Sequence, residues 1–218
     1  MKTYYLDQKP SLINKYLLEM RDVNIQNDRL RFRENIVRTG ELVAYEISKV
    51  LKYKEIETQT PLGIALCRKP ADTIVLSTIL RAGLPFHQGF LNMFDDAENA
   101  FVSAYREYDD DSHTDFHVYT EYIASPCLDD KVLIIADPML ATGKSMEVGY
   151  RALLKKGTPK EVHIASVIAS TEAIEYLDQC MPDNVTLWVA SVDQKLNEHS
   201  YIVPGLGDAG DLAFGEKL

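Results

Sequence analysis

Val132-Leu133-Ile134-Ile135-Ala136-Asp137-Pro138-Met139-Leu140-Ala141-Thr142-Gly143-Lys144-Ser145 decides how the chain is read. Its first five residues form a continuous apolar run, rich in β-branched side chains, of the kind found in a strand buried on both faces. An acid, a proline and a small-residue turn follow, and helical spacing resumes from Met146. A strand that feeds a turn opening a helix makes an anion site, because the first helical N–H groups have no intrahelical partners. Gly143 permits close approach of backbone to phosphate, and Thr142 and Ser145 add hydroxyl donors. Asp137, at the carboxyl end of the strand, repels phosphate but accepts hydrogen bonds from sugar hydroxyls. Together these features predict a cradle for ribose 5-phosphate. Two other readings share parts of the pattern. A Walker A loop needs a glycine five residues before Gly143, where Pro138 stands. An ordinary βα connection with a glycine turn and a serine cap would look similar.

The chain has 218 residues, 46% hydrophobic and 26% charged, which suits one domain, or one with an appended lobe, around a sizeable core. Its net charge of -10 comes without a basic cluster, which argues against nucleic acid and anionic membrane as partners. Against that background, individual arginines are informative. Cys67, Cys127 and Cys180 are widely spaced and form no C-x-x-C pair, which points to a reducing compartment rather than a disulfide framework or zinc site. Met1 to Asp7 carries no signal-type apolar region, and no apolar run reaches the length of a membrane span. A cytoplasmic location follows as the expectation.

In chain order, residues 1–27 read as an arm or short helix, and Asp28 as a cap for a helix over 29–52. That helix turns Ile36, Gly40, Val43, Ile47, Val50 and Leu51 to one face. Leu62 to Cys67 and Thr73 to Thr78 read as strands, the second leading into Leu80-Arg81-Ala82-Gly83 and a helix near Pro85. Arg81 thus sits at a strand's carboxyl end, where ligand sites of open α/β sheets gather, and Arg106 holds the same place after Phe101 to Tyr105. The acidic stretch 107–115 and the alternating 116–122 predict an extended arm with a mobile, solvated tip. His113 and His117 lack partners at metal-ligand spacing. A helix over 145–156, a strand Glu161 to Ala169, a helix Thr171 to Cys180 and a strand Val185 to Ala190 complete a βαβ alternation. It predicts right-handed units and a mainly parallel sheet. Gly205, Gly207 and Gly210 beside Pro204 fit neither helix nor strand; such a loop can read a flat polar ring with backbone groups.

With these pieces assembled, the chain resembles the uracil phosphoribosyltransferase family. The carrying residues are Asp137 to Ser145, Leu80-Arg81-Ala82-Gly83, Tyr105-Arg106, Asn197-Glu198-His199, and Tyr201 to Asp211. The likeness runs from about residue 10 to the end. It implies an α/β fold of the type I phosphoribosyltransferase kind: a mainly parallel twisted sheet flanked by helices, with an extended β-arm over about 106–122 and a small base-binding hood over about 191–218. It implies the reaction of uracil with 5-phosphoribosyl-1-pyrophosphate (PRPP) to UMP and pyrophosphate, a step of pyrimidine salvage. The resemblance assigns PRPP to Arg81, Arg106, Asp137, Pro138, Met139, Leu140, Ala141, Thr142, Gly143, Lys144, Ser145 and Asp208. It assigns uracil to Ile202, Gly207, Asp208 and Ala209. The catalytic candidates are Arg81, Arg106 and Asp208, the last as a base for N1 of uracil. Mg²⁺ would act through PRPP and water, with no dedicated protein ligands. The resemblance also implies a homo-oligomer, dimer or higher, and GTP as a possible effector.

Three positions depart from the common pattern. Lys144 stands where many relatives have glycine. Leu212 stands where Lys or Arg is common, which questions the charged support of the hood. Ala136 precedes Asp137 where purine-using relatives often carry a second acid, which favours uracil. The rivals are an RNA-binding regulator on the same fold, a P-loop nucleotide enzyme, and a transferase for another base.

Overall fold

The computed structural model describes residues 1–108 and 116–216, and only the backbone of 104–108 and 116–121. Its frame is a sheet of β1 (Lys2–Tyr5), β4 (Ile74–Leu80), β5 (Glu98–Tyr108), β6 (Phe116–Ala124), β7 (Val132–Ala136), β8 (Met139–Leu140), β9 (Glu161–Ser170) and β10 (Val185–Asp193). The order is β1-β10-β9-β7-β4-β5-β6, with β8 pairing β9. Every pairing is parallel except β5 with β6. The expected parallel α/β sheet is therefore present, and the flanks of the expected arm are strands of the main sheet. The acidic tip, 109–115, lies outside the described residues.

The run Val132–Ala136 is buried throughout, as its lack of alternation predicts. Val132, Ile134 and Ala136 enter a core shared with α1 (Leu12–Arg21), α2 (Arg29–Ser48) and α3 (Gly83–Met93). Leu133 and Ile135 enter a second core with α4 (Lys144–Leu153) and α5 (Thr171–Cys180). Each large side chain so buried contributes about 2 kcal/mol. Asp28 caps α2 as expected, its Oδ1 accepting from the Arg31 N–H at 3.0 Å. That helix stops at Ser48, not 52, and Val50 is 41% exposed. Gly40 faces Gly89 where α2 crosses α3; a Cβ on Gly40 would stand 2.6 Å from the Phe86 carbonyl oxygen. The missing side chains let the two backbones touch.

Two strands were not legible. Residues 1–27, read as an arm or short helix, hold a helix as expected but also an edge strand. The β1 strand holds Tyr4, whose ring stacks on Trp188 at 4.0 Å, and Ser11 with Asn14 closes a capping box on α1. The strand expected over 62–67 is β3 (Gly63–Pro70), but it pairs antiparallel with β2 (Tyr53–Thr60) in a hairpin outside the main sheet. No described helix is long and apolar enough to cross a membrane.

His163 lies between β9 and β10 with its side chain 1% exposed. The Trp188 indole donates to its Nδ1 at 3.1 Å, while Glu161 Oε1, 3.2 Å from Nε2, lies outside hydrogen-bond alignment. Burial pushes its pKa down to about 4. Above pH 6.5 both folded and unfolded chains are neutral there. As pH falls from 6.5 toward 4 the unfolded chain takes up a proton that the native ring refuses, so stability drops. The loss at pH 4 is on the order of 3 kcal/mol. His163→Gln keeps an acceptor for Trp188 without titrating. Its melting temperature should fall less between pH 7 and 5 than that of the wild type, and parallel curves would refute this account.

Candidate active site

Chain order around β4 reverses direction: α3 leads to β5 on one side, while β7 pairs on the other. In open α/β sheets such a switch point leaves a crevice at the strands' carboxyl ends. Thr78 and Ala136 are level in the sheet below this crevice, so Asp137 leaves at its edge and Arg81 two residues further along the neighbouring strand. Thr78 Oγ1 donates to the Ala136 carbonyl at 2.8 Å. A Cβ on Gly83 would lie 2.0 Å from that same Oγ1, so the turn after Arg81 folds tightly against the end of β7. On the far side of β4, Ser103 is level with Leu80, and Arg106 follows on β5 opposite Val118. The side chain of Arg106 lies outside the described residues.

Asp137 is 9% exposed, and its Oδ1 accepts the Met139 N–H at 3.3 Å. Residues 138–141 then run along β9. The Ile168 N–H donates to the Pro138 carbonyl at 3.0 Å, and Ser170 Oγ donates to that of Ala141 at 2.5 Å. Thr142 Oγ1 accepts the Lys144 N–H at 3.4 Å. Gly143, not a serine, is the cap residue of α4, with φ 78°. The structure gives its missing side chain a second reason: a Cβ would stand 3.1 Å from Tyr176 Cδ1 and 3.3 Å from the Ala173 carbonyl oxygen. Tyr176 also donates its hydroxyl to Glu147 in the first turn of α4, and Arg151 Nε donates to the same carboxylate at 2.7 Å. The Tyr176 bond holds the Glu147 carboxyl below its ordinary range, and Glu147 with burial pushes the phenol up to about 12. Helix α5 thus braces the turn. Sequence reasoning missed Tyr176; the Glu147/Arg151 spacing was its one visible sign. Lys144 is exposed and Ser145 half-buried.

The C-terminal segment comes to the same face of the sheet. Ile202, Leu206 and Ala209 are buried in the core that holds Ala136, with Met139 and Ala141 packed against it. The sequence reading of 205–210 as neither helix nor strand needs correction at its end, where α6 (Ala209–Phe214) begins. Asp208 caps it, Oδ1 accepting the Asp211 N–H at 3.0 Å; the short reach of a cap is local and sets no sequence periodicity. Gly207, with φ 91°, is exposed and Asp208 half-buried. Arg81 spans the crevice, donating to Asp211 Oδ1 at 2.5 Å and to the Gly215 carbonyl at 3.0 Å. Arg33 takes the Ala213 carbonyl at 2.7 Å. Charged support for this lobe therefore comes from Arg33 and Arg81, while Leu212 is half-buried against the core.

A family model described as "Uracil phosphoribosyltransferase" matches residues 8–216. A curated uracil phosphoribosyltransferase of Porphyromonas gingivalis is 62% identical over 218 residues, covering 100% of both chains. One from Methanothermobacter thermautotrophicus is 41% identical over 190 residues, covering 86% of this chain and 85% of its own. Among solved structures, the AQ2163 protein of Aquifex aeolicus superposes with a TM-score of 0.86 at 30% identity, covering 98% of each chain. A mainly parallel sheet with its crevice at the β4/β7 switch point, an acid-proline turn braced by α5, and a glycine-rich lobe tied back by Arg81 agree with these matches, and the chain belongs to the uracil phosphoribosyltransferase family.

Proposed function

We propose that PRPP lies along the crevice between β4 and β7, its 5-phosphate on the turn from Thr142 to Ser145 and the first N–H groups of α4. Asp137 accepts the 2′ and 3′ hydroxyls of the ribose, with Pro138 to Ala141 lining the way to the turn. Arg81 and Arg106 hold the pyrophosphate. Uracil sits in a hood over about 191–218, against Ile202, Gly207, Asp208 and Ala209. The observation that carries this reading is Arg81, which leaves the strand beside β7 and reaches Asp211 next to the proposed base site.

In the reaction of this family the bond from C1′ of PRPP to pyrophosphate breaks and the bond from C1′ to N1 of uracil forms. Positive charge builds on the ribose and negative charge on the leaving group, so catalysis is electrostatic and positional. Arg81 stabilises the departing oxygens, and the buried Asp137 fixes the ribose against rotation. Among the described residues no three His, Cys, Asp or Glu side chains converge on one point. The hard carboxylate oxygens of Asp137, which leads into the proposed phosphate turn, and of Asp208 would suit the waters of an Mg²⁺ carried on PRPP oxygens, and the ion would neutralise pyrophosphate charge there. Asp208 accepts the N1 proton. Asn is as good a helix cap as Asp, so Asp208→Asn keeps α6 but removes the base. It should lower kcat about a hundredfold with uracil and PRPP saturating. Normal turnover in this variant would remove Asp208 from the proton step.

The protein acts as a homo-oligomer, a dimer or higher, and the β2–β3 hairpin supplies the contact. All its residues are exposed or half-buried, and a lone hairpin is marginal in water. Leu62, Ile64 and Leu66 are 101%, 70% and 66% exposed, with the last two on one face. Replacing all three by serine should turn the oligomer into monomer in sedimentation velocity; an unchanged mass would exclude the hairpin. The free Cys67, Cys127 and Cys180 fit a cytoplasmic location.

A further inference from the structure

We propose that Arg21 and Asp193 are positioning residues that set the affinity for uracil without touching it. Asp193 ends β10 and is 7% exposed. Arg21 ends α1, and its guanidinium binds that carboxylate with two nitrogens, Nη1 to Oδ2 at 2.7 Å and Nη2 to Oδ1 at 2.9 Å. Nη2 also donates to Ser191 Oγ at 3.3 Å. The pair closes on one residue of the hood. Asp193 Oδ2 accepts the Gly205 N–H at 2.7 Å, and Arg21 Nη1 donates to the Gly205 carbonyl at 3.0 Å. Both backbone polar groups of Gly205 are thus held by one ion pair whose members lie 172 residues apart.

Gly205 is a place where holding matters. It has φ 62°, and a Cβ there would stand 2.0 Å from the Ile202 carbonyl oxygen, so this left-handed turn belongs to glycine. It lies in the chain between Ile202 and the Gly207 to Ala209 stretch, the two parts of the proposed uracil pocket. A loop rich in glycine has many conformations of similar energy, and a pocket that reads a base through backbone groups needs one of them selected in advance. Next door, Gln26 Nε2 donates to the Leu206 carbonyl at 3.1 Å, so the selection is reinforced from the segment after α1. A buried ion pair adds little net stability against its desolvation, but it can fix one geometry over others. Here that geometry is the entry of the hood.

The inference rests on the hood being the uracil site, and the test separates the two. Steady-state kinetics are measured for Asp193→Asn, Arg21→Lys and the double variant Arg21→Gln/Asp193→Asn, with Gly207→Ala as the probe of the hood itself. Each clamp variant weakens charge-assisted bonds to Gly205, and KM for uracil should rise about tenfold. KM for PRPP and kcat should stay within about twofold, since the PRPP turn is unaltered. Arg21→Lys keeps the positive charge beside Asp193 and loses only the fork, so its effect should be the smallest. The double variant leaves no uncompensated charge, and a normal KM for PRPP shows that it is folded. If Gly207→Ala raises KM for uracil and the folded double variant does not, the clamp is merely structural and the inference falls. If Gly207→Ala also leaves it unmoved, the hood assignment fails and takes the clamp with it. An equal rise for PRPP and uracil in the clamp variants overturns the specific role as well.

Discussion

Arg81→Ala should lower kcat/KM for PRPP about a thousandfold, the upper end of what one preorganised charge at a developing anion supplies. Two losses coincide. The proposed pyrophosphate loses a positive partner, and the hood loses the bonds that tie Asp211 and Gly215 to the end of β4. The fold should survive, because a pair whose members are 37% and 30% exposed contributes no more than about 1 kcal/mol. Arg81→Lys divides the effect: the charge stays, while the fork that meets two acceptors is lost, and activity should recover in part. Steady-state kinetics beside a thermal melt decide the matter. Near-normal kcat/KM in the alanine variant, or a melt showing that it is unfolded at the assay temperature, would remove Arg81 from the chemistry proposed for it.

Asp137→Asn should lower kcat/KM for PRPP about a hundredfold, from the loss of charge-assisted bonds to two ribose hydroxyls. The substitution nearly conserves volume, and the Asn carbonyl can still accept the Met139 N–H that Asp137 Oδ1 takes at 3.3 Å. The backbone course of the turn should therefore persist. A PRPP analogue lacking the 2′ hydroxyl gives the cross-check. The wild type should lose activity on it, whereas Asp137→Asn, having already lost that partner, should lose little more. Additive losses would place the 2′ hydroxyl elsewhere.

The stretch Val132–Ser145 was legible because its signals are local. A run buried on both faces needs no alternation, and the turn after it needs a residue able to take a positive φ. Helix 171–180 was bounded correctly because Ser170 caps it through its own side chain, accepting the Ala173 N–H at 2.9 Å. The hairpin Tyr53–Pro70 was half missed because its strands carry no buried face, so burial leaves no alternation to read. The segment after Asp208 is too short to show a helical period, and its helix is visible only through the cap. Tyr176 and Arg21 look like ordinary helix residues in one dimension.

By itself the sequence determined the parallel α/β class, the strand-acid-turn-helix that can cradle a phosphate, and Arg81 at a strand end. Each follows from neighbours in the chain through burial period, turn chemistry and orphaned helix N–H groups. Arg106, expected at another strand end, lies inside β5, because pairing with β6 carries that strand on to Tyr108. Only the tertiary structure decided that Arg81 and Asp211 would meet, 130 residues apart, that α5 would brace Gly143, and that one ion pair would hold Gly205. Those contacts depend on strand order and on which helix lies over which face, and no local periodicity encodes which distant residue becomes the partner.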